Sequence, residues 1–217
     1  MPIPQPGRSA ERVGFFTDAV VAIAMTLLVV EIPRPEGPEF AVGDGVGKAE
    51  AASSLWHFLA TQSHAFFAYL LAVVMLWSVW RQHHTLVDSI EWLSTSAVRW
   101  HLPLLLLVGF LPYPTAVMGH YPNNPLALGL FGVTYACLLL SRAMLLSRAY
   151  RQDALKPGVA LAHARHQVAI AWVTTGYWSL TLLLVWWPSW IRVAWILVWL
   201  IRPVGELLRR QVEPRTG

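Results

Sequence analysis

The chain of 217 residues is 56% hydrophobic and only 13% charged, whereas a soluble domain has about 25% charged residues. This composition excludes a soluble globular protein, because there are too few polar side chains to cover the apolar surface. It predicts an all-α integral membrane protein, since helices satisfy their own backbone polar groups in lipid. The net charge of +4 does not indicate a nucleic-acid site, because the basic residues lie between apolar runs, where topology signals are found.

Runs of about 20 mostly apolar residues, the length that crosses a bilayer, recur along the chain. Six spans are predicted, at residues 13–32, 55–80, 100–118, 126–146, 168–187 and 190–208. The last departs most from an ideal span, because Arg192 lies near one end and Pro203 interrupts the other. With no duplication in the sequence, residues 1–217 are expected to form one subunit of six transmembrane helices.

The distribution of Lys and Arg predicts the orientation of these helices. If the N-terminus is cytoplasmic, all but three of the 16 basic residues lie inside or at the inner boundary, and the exceptions are Arg34, Lys48 and Arg192. Short cytoplasmic loops carry such an excess, so both termini are predicted to be cytoplasmic. The first outer loop, residues 33–54, is rich in Gly and acidic residues and is expected to be flexible.

The first predicted span contains a carboxylate, Asp18, which would cost about 2.5 to 3.5 kcal/mol at the centre of a spanning helix and less near its ends. On a wheel of about 100° per residue, Ile23, Leu27 and Val30 lie within about 60° of one another, with Thr26 on the flank. Asp18 falls about 140° from Ile23 on the same wheel. The residues alone leave alternatives open, since ordinary helix packing also explains the stripe and an interfacial position also explains Asp18.

Three motifs occur in the first half of the chain, in helices one to three. They are RVGFFTD at residues 12–18, WRQHH at residues 80–84 and LPYPT at residues 111–115. They resemble the Arg-x-x-x-Phe-Ser-Asp, Trp-x-x-His-His and Pro-Phe-Pro-Thr motifs of the transmembrane protein 175 family, the lysosomal potassium channels and their prokaryotic homologues. Thr17 stands where that family usually has Ser, Tyr113 where it has Phe, and His101 where many members have Asn.

The resemblance implies a potassium-selective channel of a prokaryotic plasma membrane and no enzyme activity. It also implies a homotetramer in which helix 1 of each subunit lines a central pore. The partners are then identical subunits, membrane lipid and permeating cations, and K⁺ is the permeating ion, with no cofactor or other metal. If the roles of the family's first helix are carried over to this chain, Ile23 forms the hydrophobic constriction. Leu27 and Val30 then form further apolar layers, and Thr26 forms a hydroxyl layer for selectivity.

The remaining motif residues are expected to form a polar network that fixes the rotation of helix 1. In this network Asp18 bonds to neighbouring helices, with Arg12, His83, His84 and His101 as candidate partners. The signature and network comprise Arg12, Phe16, Thr17, Asp18, Trp80, His83, His84 and His101.

Other readings compete with the channel. A proton-coupled secondary transporter would use Asp18 and the histidines as a relay. A metal or haem protein is less favoured, because no Cys or carboxylate cluster completes a ligand set around the histidines. The stretch TTGYW, residues 174–178, resembles the filter of ordinary potassium channels but lies inside a predicted span, which favours a helix-packing face. The basic segment 142–165 is compatible with an orientation signal and with contact to anionic lipid.

Overall fold

The computed structural model describes residues 8–43, 45–90, 92–93, 95–151, 155–156 and 158–198. Within these residues the chain forms eight α-helices: α1 (Ala10–Val30), α2 (Lys48–Thr61), α3 (Ser63–Ser89), α4 (Thr95–Phe110), α5 (Pro112–His120), α6 (Pro125–Arg151), α7 (Leu161–Thr181) and α8 (Pro188–Leu197). A short 3₁₀ turn at Pro38–Phe40 precedes α2, and another at Leu182–Leu184 continues α7. The strands β1 (Arg8–Ser9) and β2 (Trp92–Leu93) pair antiparallel.

Among the described residues, five helical stretches are long and apolar enough to cross a membrane: Arg12–Val30, Ser63–Ser89, Ala97–His120, Pro125–Arg151 and Leu161–Leu184. The all-helical membrane architecture predicted from composition is therefore confirmed. The predicted sixth span, 190–208, coincides with α8 for its first part, whereas residues 199–208 lie outside the described residues.

The segment between the first two spans differs from the prediction. Residues 33–54 were expected to be flexible, but this region holds the 3₁₀ turn and the first residues of α2. Phe40 packs edge-on against Phe58 of α2, with ring centroids 5.6 Å apart. The predicted start of the second span at residue 55 falls within α2, and the chain turns at Gln62 before α3 begins. The hydropathy pattern predicts one span across the end of α2 and most of α3, because residues 55–60 are mostly apolar.

The third span is interrupted at Leu111, directly before Pro112, so that α4 ends at Phe110 and α5 begins at Pro112. Proline has no backbone N–H, so it cannot bond to the carbonyl four residues earlier. That carbonyl, of Val108, instead lies 3.4 Å from the N–H of Leu111. The hydroxyl of Thr115 donates to the carbonyl of Leu111 at 2.8 Å, so the span continues to His120 with its polar groups largely satisfied.

Helix α6 lies at the centre of the subunit, where it packs against α4, α5 and α7. An aromatic cluster packs α7 and α8 against α6. Trp178 of α7 and Trp195 of α8 stack with ring centroids 5.3 Å apart, and the indole N–H of Trp178 donates to the carbonyl of Gly132 on α6 at 3.0 Å. The filter-like stretch is helical throughout, and Thr174 and Thr175 each donate to the carbonyl four residues earlier. Its carbonyls are therefore engaged in the helix and are not arranged as an ion filter.

At the end of the subunit where α1 begins, three segments are joined through the backbone. Arg8 pairs with Leu93 and Ser9 with Trp92. Ile90 bridges to Leu155, and the N–H of Lys156 donates to the carbonyl of Ser89 at 3.0 Å. The start of α1 is thus connected to the segments that follow α3 and α6.

Helix α5 approaches α3 closely at Gly119. A Cβ atom there would lie 3.1 Å from the backbone Cα of Ala65, whereas a Cβ at Gly109 would meet nothing within 4 Å. We expect Gly119→Val to destabilise the subunit by about 1–3 kcal/mol through overpacking, measured as a lower apparent melting temperature in detergent. Gly109→Val is the matched control, and equal losses in the two variants would contradict the close packing.

Candidate functional site

Helix α1 has one face buried against its own subunit. The buried residues follow helical spacing and comprise Gly14, Thr17, Val21, Ala24 and Leu28. This face packs on α3, α4 and α5. At Gly14 a Cβ atom would lie 3.3 Å from Cγ1 of Val87, so the absence of a side chain lets α1 approach α3 closely.

The aliphatic stripe of α1 lies outside this packing. Ile23, Leu27 and Val30 are 60%, 44% and 55% exposed in the single subunit. Burying such a side chain is worth about 1.5–3 kcal/mol relative to leaving it in water. Exposing three of them to bulk water would therefore be unfavourable, and the stripe faces a pore, a neighbouring subunit or lipid.

Thr26 lies beside the stripe and is also exposed. Its hydroxyl donates to the carbonyl of Ile23 at 2.8 Å. The hydrogen is therefore engaged within the helix, while the oxygen lone pairs remain able to accept a hydrogen bond or approach a cation.

The carboxylate of Asp18 is anchored by a tryptophan. The indole N–H of Trp80, on α3, donates to Oδ1 of Asp18 at 2.8 Å, and this part of the structure is half-buried. Trp80 packs between two further rings, with centroids 4.8 Å from Trp77 and 5.4 Å from His84. The partner is thus none of the four candidates named from the sequence, because a hydrogen bond across 62 residues depends on how α1 and α3 pack.

The other residues of the first motif lie in different surroundings. Thr17 is buried and donates to the carbonyl of Val13 at 2.8 Å. Arg12 and Phe16 are exposed in the single subunit. Thr17 and Asp18 therefore turn toward the packed interior, whereas Arg12 and Phe16 do not.

A second polar contact joins α3 to α4. The Nε2 atoms of His83 and His101 lie 2.9 Å apart, and the rings meet at 89°. Both side chains are buried, so one ring donates and the other accepts. The imidazole of His101, where the family resemblance led us to expect Asn, thus reaches its partner directly.

The expected single network is divided into two clusters. His83 and His84 are neighbours in sequence, but side chains one residue apart on a helix diverge by about 100°. His84 is therefore exposed and packs on Trp80, whereas His83 turns inward to His101. Both clusters involve α3, which packs against α1.

Sequence reasoning missed the burial of Arg142. It was counted among the basic residues at the inner boundary, yet it is only 3% exposed within α6 and interacts electrostatically with His83. The available signal was its position inside the predicted span 126–146, because an ionisable residue within a span normally faces the protein interior.

The histidine pair gives a stability prediction. His83→Leu would leave Nε2 of His101 buried without its partner, which costs about 1–3 kcal/mol. We expect a lower apparent melting temperature in detergent and partial recovery when His101→Leu is added. His64→Leu, at an exposed position of α3, is the control. Additive losses from the two buried substitutions would contradict a direct bond.

The described residues contain no group of three or more His, Cys, Asp or Glu side chains placed to hold a metal ion. Together, the helical fold, the uncovered aliphatic stripe and the anchored carboxylate define an all-helical membrane protein whose first helix leaves an apolar stripe uncovered. A family comparison matches residues 12–112 to the endosomal/lysosomal potassium channel TMEM175.

Individual relatives agree with this match. A potassium channel from Chamaesiphon minutus is 30% identical over 158 residues, which are 72% of each chain. The chain therefore belongs to the TMEM175 family of potassium channels. An endosomal/lysosomal proton channel TMEM175 from Danio rerio is 25% identical over 133 residues, or 61% of this chain and 23% of that protein.

A solved structure has the same fold. The crystal structure of a lysosomal potassium-selective channel TMEM175 homolog from Chamaesiphon minutus superposes with a TM-score of 0.72 at 21% identity, and the match covers 89% of this chain and 96% of that chain.

Proposed function

We propose that four copies of this chain form a potassium-selective channel in a prokaryotic plasma membrane, with α1 of each subunit lining a central pore. Both termini are cytoplasmic, and α8 begins the sixth span. The observation that carries the proposal is the division of α1 into a face packed on its own subunit and a stripe, Ile23, Leu27 and Val30, that the subunit leaves uncovered.

A single subunit with such a stripe is incomplete. Copies that assemble around an axis place the same residue of each subunit at the same depth, so one uncovered stripe becomes a set of rings. Ile23 then forms the narrowest ring, and Leu27 and Val30 form apolar layers on one side of it. A dry apolar neck raises the energy of a hydrated ion and gates by excluding water.

Selectivity requires oxygen atoms close to the neck. Thr26 is the exposed hydroxyl beside Ile23, and its lone pairs remain available. A ring of hydroxyl oxygens can replace part of the hydration shell of a passing K⁺ ion. The Asp18–Trp80 bond lies on another side of the helix and keeps this stripe turned toward the axis.

Ion flux from reconstituted vesicles tests the function. Vesicles loaded with K⁺ and diluted into Na⁺ are expected to develop a negative internal potential that follows the K⁺ gradient, recorded with a potential-sensitive dye. Protein-free vesicles are the control, and native mass spectrometry of the purified assembly is expected to give four copies. A potential that ignores the K⁺ gradient, or a monomer, would contradict the proposal.

The second candidate is a proton-coupled transporter; the relative named as a proton channel favours proton movement but not its coupling to a second ion. The geometry opposes a relay that begins at Asp18, because its partner is an indole, and an indole N–H donates but accepts no proton. A pH-sensitive dye inside the same vesicles separates the two functions, since a coupled transporter acidifies or alkalinises the lumen in proportion to K⁺ movement.

A further inference from the structure

A cleft of about 380 Å³ lies between the end of α6 and the start of α7. Its walls include Arg151 from α6 and Arg165 from α7, both exposed, together with Leu161 and Val168. Buried Tyr150 also lines it. The cleft therefore combines two guanidinium groups from different helices with an apolar lining.

The two guanidinium groups of the cleft belong to exposed side chains. Within the ranges that the structure describes, neither Arg151 nor Arg165 has a carboxylate within ion-pair distance. Arg148, one turn before Arg151, is already engaged, because its guanidinium lies 5.5 Å from the ring centroid of Trp100. A guanidinium presents a planar fork of donors that matches the oxygens of a phosphate group.

We propose that this cleft binds the headgroup of an anionic phospholipid. Two membrane-spanning stretches meet here, since Pro125–Arg151 ends and Leu161–Leu184 begins at the cleft. A ligand between these ends lies at the boundary between hydrocarbon and water, where lipid phosphates are found. Leu161 and Val168 supply apolar surface for the first part of an acyl chain.

The charge of the surrounding segment favours an anionic lipid over a neutral one. Residues 148–165 contain four basic side chains and one acidic side chain. Clusters of basic residues beside a span attract anionic lipids within a Debye length of the surface. In the proposed orientation the cleft lies in the cytoplasmic leaflet, although binding itself does not depend on that orientation.

One wall of the cleft is held in place by a bond between its two helices. The indole N–H of Trp172, two turns after Arg165 on α7, donates to the hydroxyl of Ser147 on α6 at 3.0 Å. Ser147 is itself a lining residue. The spacing of the two helices is therefore set before a lipid binds, which lowers the ordering cost of binding.

Competition between lipids tests the site. The purified assembly in neutral detergent is mixed with equal amounts of phosphatidylglycerol and phosphatidylcholine, and native mass spectrometry gives the ratio of the two lipids bound. We expect Arg151→Gln and Arg165→Gln each to lower the phosphatidylglycerol preference about fivefold, and the double variant about 25-fold. The matched control is Arg99→Gln, an exposed arginine outside the cleft, which should leave the ratio unchanged.

Three results of the lipid competition would each overturn the proposal. The wild-type chain could show no phosphatidylglycerol preference, the double variant could keep it, or Arg99→Gln could lower it as much as the cleft variants do.

Millimolar inorganic phosphate is added in a separate arm, and displacement of the lipid at that concentration would show recognition of free phosphate instead. Because lipid binding is read without ion flux, failure here is distinguishable from failure of the channel function.

Discussion

Replacing Ile23 by Asn is expected to raise potassium flux about tenfold, equivalent to lowering the barrier by about 1.4 kcal/mol, and to reduce discrimination against sodium. An apolar ring excludes water, so an ion must shed part of its hydration shell to pass. A polar amide at the same position holds water in the neck and lets both cations cross hydrated. Ile23→Ala widens the ring without adding a dipole, so we expect a smaller rise.

The measurement is single-channel conductance together with the reversal potential under a K⁺ to Na⁺ gradient. Val29→Ala is the matched control, because Val29 is exposed to a similar degree, 51% against 60% for Ile23, yet lies about 120° away on the helix wheel. It should leave both quantities unchanged. If conductance and selectivity are unaltered in both Ile23 variants, the pore does not run along this stripe.

The sequence predicts the spans well where hydropathy alone determines them. Helix α1 was expected at residues 13–32 and is observed at Ala10–Val30, because the apolar run has polar residues at both ends. The α2 helix was not anticipated, since its apolar second half continues directly into α3 in sequence. The turn at Gln62 that separates them has no Gly or Pro, the residues that usually mark such a break.

Side-chain partners were harder to predict than helices. Periodicity showed that Asp18 and Ile23 lie on different sides of α1, but it contains no information on which residue of another helix meets the carboxylate. Trp80 was grouped with the motif residues, whereas Arg12 and three histidines were named as the candidate partners. The structure gives the bond to an indole, because the packing of α1 on α3 decides which donor comes within reach.

What Ile23 faces was likewise beyond a sequence argument. A period of 3.6 residues identifies an apolar face but not what covers it. The structure of one subunit narrows the choice, since it shows that the chain's own helices cover Val21, Ala24 and Leu28 and leave the stripe uncovered.

The second prediction with a large effect concerns the Asp18–Trp80 bond. Trp80→Phe removes the donor and leaves the carboxylate of Asp18 without this partner in a half-buried position, which costs about 1.5–3 kcal/mol for a hydrogen bond to a charged group. We expect a lower apparent melting temperature of the assembly and reduced potassium flux, because α1 is then free to rotate its stripe away from the axis.

A double-mutant cycle with Asp18→Asn isolates the pair. An unpartnered amide costs less than an unpartnered carboxylate, so Trp80→Phe should lower the melting temperature less in the Asp18→Asn background than in the wild type. Trp77→Phe controls for loss of ring packing, since Trp77 is an exposed neighbour of Trp80. Strictly additive effects would mean that the bond does not hold α1. If the two substitutions are coupled in stability and Trp80→Phe also reduces potassium flux, the bond to Asp18 orients α1. A carboxylate that is costly to place in a membrane helix then determines the direction in which the opposite, apolar side of that helix faces.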